Sequence, residues 1–173
     1  MGKPRVSLPA DHQPTGNVLR DSTLGLVPET LEPYVSLNKS VWFDGPLNAA
    51  ELELMRLRNA RKVNCVYCKA ARYDIATEAG LDENKIGQID DEYANSDLSQ
   101  REKLILRFTD HYLDDPGGMS DALKAELHET FSKEEIVHLS TALLLFNGMS
   151  RGAVAFGGMP EQELPLMPMS VPD

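Results

Sequence analysis

Between Asp44 and Arg151 apolar residues recur three and four positions apart, the spacing that lines one face of a helix. Asp44-Gly45-Pro46 opens a helix predicted to run to about Lys62, with Ala50, Leu54 and Leu57 on one side. A second is predicted from near Cys65 to Gly80, where glycine can take the left-handed conformation that closes a helix. Asp82 to Ile89 reads as a short helix. Ser99 caps the next, with Glu102 at the capping-box position and Ile105, Phe108 and Tyr112 as its stripe, until Asp115-Pro116-Gly117-Gly118 breaks it. Ser120 caps a helix carrying Leu123, Leu127 and Phe131, and Ser132 with Glu135 opens an apolar helix through Ile136, Leu139, Leu143 and Phe146 toward Arg151. No segment alternates as a half-buried strand does, so the predicted fold class is all-α, a compact domain of about six helices.

The two ends lack this period. Residues 1–46 carry Pro4, Pro9, Pro14, Pro28, Pro33 and Pro46 and read as an extended arm with one or two short helical turns. The stretch from Leu24 to Phe43 is too apolar for a solvated linker, so the arm is expected to lie across its own core or a neighbouring subunit. That second option predicts a homo-oligomer. Gly157-Gly158-Met159-Pro160 stops the last helix, and Pro165, Pro168 and Pro172 keep residues 159–173 from resuming it. The helical domain is accordingly placed at residues 47–158.

Charge and cysteine content narrow the function classes. The 173 residues hold 17 Lys and Arg against 27 Asp and Glu, a formal charge of −10 with an isoelectric point near 4.8. Neutralising phosphates needs a basic patch, so no nucleic-acid partner is expected. Met1 to Arg5 lacks the apolar stretch of a secretory signal, and two cysteines are too few for a disulfide-stapled scaffold, so a cytoplasmic protein is expected. The longest apolar run, Ala142 to Phe146, is far short of a membrane span.

Both cysteines fall in Asn64-Cys65-Val66-Tyr67-Cys68-Lys69. A structural zinc site needs two more ligands, and none of His12, His111, His128 and His138 forms a spaced pair near it. Two inert core cysteines are a second reading. Redox use is the third: thiols three positions apart in a first helical turn can close a disulfide, and the free amides there favour a thiolate. A thioredoxin-type domain would place such a pair directly after a strand, whereas Glu53 to Arg61 is helical in pattern.

The stretch Glu53…Cys65-Val66-Tyr67-Cys68…Gly80-Leu81, with Leu143-Leu144-Leu145-Phe146-Asn147-Gly148-Met149-Ser150-Arg151, resembles the carboxymuconolactone decarboxylase superfamily and its alkylhydroperoxidase D-like branch. The resemblance covers roughly Leu47 to Gly158. That family's motif is a glutamate, Cys-x-x-Cys, and a histidine four residues after the second cysteine. Glu53, twelve residues before Cys65, and both cysteines match, but Arg72 stands where the histidine belongs.

The resemblance implies a thiol-dependent hydroperoxide reductase in which Cys68 attacks the peroxide, Cys65 resolves the sulfenic acid, and Glu53 accepts the thiol proton. Glu53 lies between Leu52 and Leu54 and is expected to be a half-buried carboxyl suited to that transfer, its other reading being an ordinary surface glutamate paired with a Lys or Arg. Arg72, one helical turn past Cys68, is expected to reach the sulfur side of the helix, where it can stabilise a thiolate but cannot pass a proton. Pairing with an acidic neighbour such as Asp74 or Glu78 is its other reading. Tyr67 reads as a packing aromatic, while Asn147 and Arg151 read as either a subunit contact or a solvated helix end. The resemblance further implies an external dithiol reductant, a trimer or hexamer, and no metal, haem or flavin cofactor. A lactone decarboxylase-like acid–base enzyme and a non-catalytic redox-sensing protein of the same fold are the alternatives.

Overall fold

The computed structural model describes residues 3–172. Its centre is α2 (Ala49–Val63), entered through Asn48 and Glu51, which bond each other's backbone amides as a capping box, and closed by Asn64 in the left-handed conformation at φ 57°. Eleven of its residues are buried, among them Glu51, Glu53, Arg56, Arg58 and Asn59. A helix this polar can sit in a core because each polar group has a partner. Arg101 bridges Glu51 and Glu135, Arg58 holds Asp110, and Glu53 is taken by Arg56.

Around α2 pack α3 (Val66–Ala70), α4 (Asp74–Glu78), α6 (Gln100–Asp114) and α8 (Lys133–Phe156). α5 (Glu83–Gly87) and α7 (Asp121–Thr130) link these in sequence, and Ser99, Ser120 and Ser132 cap α6, α7 and α8 as their sequence signatures predict. The all-α class holds, with one short parallel ribbon added: β1 (Ala71–Tyr73) pairs with β2 (Met167–Met169).

Two elements differ from the sequence expectation. The N-terminal segment contains a 16-residue helix, α1 (Pro28–Phe43), rather than isolated turns. Pro28 occupies its first turn, where no amide donor is needed; Val41 and Trp42 are buried in the main core, and Leu31 and Val35 in a second, smaller cluster with Leu19. The predicted helix from Cys65 to Gly80 is instead broken into α3, β1 and α4. The cause is a long-range one. The carbonyls of Cys68 and Ala71 accept from Arg56 at 2.8 Å each, and Ala71–Tyr73 is drawn into pairing with Met167–Met169.

His138 ties α8 to the turn between α1 and α2. Its Nδ1 accepts from the Leu47 amide at 3.3 Å and its Nε2 donates to the Val41 carbonyl at 3.0 Å, while burial pushes its pKa below the ordinary histidine value.

Candidate active site

α2 ends at Asn64, and the chain turns at once into α3, with Cys65 as the N-cap residue. The Cys65 amide reaches back to the Ala60 carbonyl at 3.0 Å, and the Cys65 sulfur accepts from the Cys68 amide at 3.2 Å. A disulfide joins the two residues across a Cα separation of 5.2 Å. Cys65 has no exposure, whereas Cys68 is only partly covered. Tyr67, expected to pack, is 41% exposed between them. An open groove of about 560 Å³ borders this helix, lined in part by Asn64, Val66, Lys69 and Arg5.

Glu53 is fully buried rather than half-buried, and both its oxygens accept from one partner. Arg56 Nε donates to Oε2 at 2.6 Å and Nη2 donates to Oε1 at 2.7 Å, a bidentate pair within a single helical turn. The remaining donors of Arg56 hold the Cys68 and Ala71 carbonyls, and the guanidinium lies 5.1 Å from the Tyr73 ring centre. Burial alone would depress the pKa of Arg56, but the adjacent Glu53 carboxylate outweighs it and raises it above the ordinary arginine range. Burial likewise raises the pKa of the Tyr73 phenol.

The position of Arg72 corrects the helical reading of that residue. It lies on β1, where Nε and Nη2 donate to Glu83 at 2.7 and 3.2 Å and Nη1 donates to the Lys69 and Ala71 carbonyls at 2.7 and 2.9 Å. Its acidic partner is therefore Glu83, not Asp74 or Glu78 and not the sulfur. The reach of one helical turn was lost when the helix ended at Ala70.

The side chain that meets the Cys68 sulfur comes from α8. Ser150 Oγ donates to Cys68 Sγ at 3.4 Å, and Ser150 in turn accepts from Asn59 Nδ2 at 3.0 Å. Asn59 Oδ1 accepts from Asn147 Nδ2 at 2.8 Å, and Asn147 Oδ1 accepts from Arg151 Nε at 3.0 Å. Asn147 and Arg151 thus bond to each other within the chain. Sequence reasoning missed Arg56, Asn59 and Ser150. A signal existed for two of them: Asn59 follows Leu52 and Met55 at spacings of seven and four, as Ser150 follows Leu143 and Phe146, so each is polar on a buried stripe. Among the described residues, no group of three or more His, Cys, Asp or Glu stands where it could share a metal ion.

No family model matches the chain. Among solved structures, a protein of unknown function from Agrobacterium tumefaciens, which carries the name of the antioxidant defence protein AhpD, superposes with a TM-score of 0.68 at 23% identity, covering 92% of this chain and 100% of that one. An uncharacterized peroxidase-related protein from Silicibacter sp. TM1040 gives 0.69 at 18% identity, covering 91% of each. The chain has the alkylhydroperoxidase D-like fold. A third structure with this AhpD-like fold is the debrominase Bmp8, in a cysteine-to-alanine form with 2,3,4-tribromopyrrole, at a TM-score of 0.67 and 18% identity over 80% of this chain and 75% of that one. In sequence, two uncharacterized Mycobacterium tuberculosis proteins, one from each of the strains H37Rv and CDC 1551, are 32% identical over 111 residues, 64% of this chain. The match spans 39% of the length of those relatives.

Proposed function

We propose that this protein reduces hydroperoxides through a Cys65–Cys68 dithiol cycle. The observation that carries the reading is the pair itself, disulfide-bonded at the start of a helix with Cys65 enclosed and Cys68 partly exposed. In the reduced protein the Cys68 thiolate attacks the peroxide O–O bond. Sulfur takes one oxygen as a sulfenic acid, and the other leaves as an alkoxide that takes up a proton to become an alcohol. The Cys65 thiol then displaces water from the sulfenic acid to form the disulfide, and an external dithiol reduces it while becoming a disulfide itself.

Because both Glu53 oxygens accept from Arg56, Glu53 is placed in this scheme as a positioning residue rather than as the proton acceptor. It fixes Arg56, and Arg56 fixes the Cys68 carbonyl. Arg72 fixes the end of α3 through the Lys69 carbonyl. Assembly into a homo-oligomer, trimer or hexamer, belongs to the same proposal and is supported by Val137 and Leu144, 65% and 61% exposed on α8; mass by light scattering is its check.

The function is tested by thiol counting and turnover. One equivalent of hydroperoxide should remove two thiols from the reduced protein, and an added dithiol should give steady consumption of peroxide. Cys68→Ser should abolish consumption, whereas Cys65→Ser should give one fast turnover and a trapped sulfenic acid. Steady turnover in both single variants would rule the cycle out. A bromopyrrole assayed beside hydrogen, alkyl and lipid hydroperoxides distinguishes this chemistry from the debromination that one structural relative is named for.

A further inference from the structure

We propose that Ser150 is a catalytic residue that stabilises the Cys68 thiolate, and that Asn59, Asn147 and Arg151 are positioning residues that aim its hydroxyl. This rests on Cys68 being the reactive sulfur. Four successive hydrogen bonds run in one direction, toward the Cys68 sulfur. Arg151 has only donors, so Asn147 must present its oxygen to Arg151 Nε and its amide to Asn59. Asn59 must then present its oxygen to Asn147 and its amide to Ser150 Oγ. The Ser150 oxygen has accepted a hydrogen bond and donates its own hydrogen to Cys68 Sγ at 3.4 Å.

Every link donates toward the sulfur, and the first link is a cation. Aligned hydrogen bonds polarise one another, and in a buried setting their field is little screened. Ser150 is 3% exposed and Asn59 has no exposure, whereas Arg151 stands in solvent. The chain therefore directs positive potential at the sulfur without placing a charge beside it. It answers a need left by the rest of the site. α3 is only five residues long, so its axial dipole is that of a few peptides, and Arg72 is engaged with Glu83. Amides do not relay protons along such a chain, so its effect is electrostatic: it favours the thiolate over the thiol, and the dithiol state over the disulfide.

Other charged and titratable groups around Cys68 are accounted for. Arg56 on α2 is neutralised by Glu53 and bonds the Cys68 carbonyl rather than its sulfur. Lys69 on α3 donates to Asn64 Oδ1 at 3.0 Å, Arg72 on β1 pairs with Glu83, and the Tyr73 ring lies against Arg56. None of these donates to the sulfur in the way Ser150 does.

The test is the pH midpoint of iodoacetamide alkylation in a reduced Cys65→Ser background, which leaves Cys68 as the single thiol. Adding Ser150→Ala should raise that midpoint by about one pH unit, the effect of one lost hydrogen bond to a charged group. Ser150→Thr should return it toward the parent. Asn59→Asp should raise it at least as far as Ser150→Ala, because a carboxylate accepts the serine proton and turns the hydroxyl away from sulfur. Arg151→Ala, at an exposed position that folding tolerates, should give a smaller rise of the same sign. In the two-cysteine protein, Ser150→Ala should shift the dithiol–disulfide equilibrium about tenfold toward disulfide, about 30 mV. An unchanged midpoint in folded Ser150→Ala overturns the proposal, as does a rise that Ser150→Thr fails to reverse. Peroxide turnover is read separately. A shifted midpoint without turnover supports the role of Ser150 and removes the peroxidase reading, and turnover with an unshifted midpoint does the reverse.

Discussion

Cys68 lies between two polar constructions that work differently. On its α2 side a full ion pair, Glu53 and Arg56, is closed within one helical turn and grips the backbone carbonyls of Cys68 and Ala71. On its α8 side a mostly neutral chain of side chains crosses between two helices and ends on the sulfur. In the first region the charges cancel locally and what remains is rigidity. In the second little net charge is buried, and what remains is a directed field. The contrast shows how a fold can hold one cysteine firmly without setting a full charge beside its sulfur: strong groups go to the backbone, and dipoles go to the side chain.

The largest expected effect comes from breaking the ion pair. Arg56→Met leaves the Glu53 carboxylate buried without its partner and should cost about 3–5 kcal/mol in urea unfolding. The Glu53→Gln, Arg56→Met double variant should lose less than the two single losses together, because neither charge is then stranded. If Arg56→Met unfolded at the parent midpoint, the scaffold role would be wrong.

Asn59→Ala attacks the other region and should cost about 1–3 kcal/mol, since Asn147 Nδ2 and Ser150 Oγ lose their shared partner. Unlike the ion-pair variants, it should change Cys68 reactivity by more than its effect on stability suggests. Equal effects on reactivity from Arg56→Met and Asn59→Ala, measured where both are folded, would erase the distinction between the two regions.

Arg72→Ala sets the lower bound. Its partner Glu83 is 54% exposed, so that pair is worth under about 1 kcal/mol, and with the Lys69 and Ala71 carbonyl bonds the loss should be about 1–2 kcal/mol by thermal melting, with no change in the Cys68 alkylation midpoint. A raised midpoint there would return Arg72 to the sulfur's side.

Much of this architecture was legible in the chain. The serine caps with their glutamates marked the starts of α6 and α8 to the residue, because capping is a contact between neighbours in sequence. The Cys-x-x-Cys pair was found in its own short spacing, whereas Glu53 came from the family resemblance, which places a glutamate twelve residues before the first cysteine. What escaped was set by distant partners. α3 stops where Arg56, twelve residues before Cys68, takes the carbonyls, and β1 exists because Met167–Met169 lies beside it. Pattern alone gave Arg72 a helical reach that this break removes. Ser150 is 82 residues from Cys68, and no local rule connects them. The buried polar positions at 59 and 150 were nonetheless visible as interruptions of apolar stripes, a class of residue worth singling out in any helical sequence.

The hydrogen bond from the Cys68 amide to the Cys65 sulfur places a backbone proton donor 3.2 Å from an atom whose bonding changes with each oxidation. That nitrogen is an internal gauge. In an amide correlation spectrum its peak should occupy different places in dithiol and disulfide molecules, so a partly oxidised sample gives two peaks whose ratio counts the two populations. Interconversion of the dithiol and disulfide forms therefore needs no attached dye or tag to be followed: the backbone at residue 68 already carries the readout.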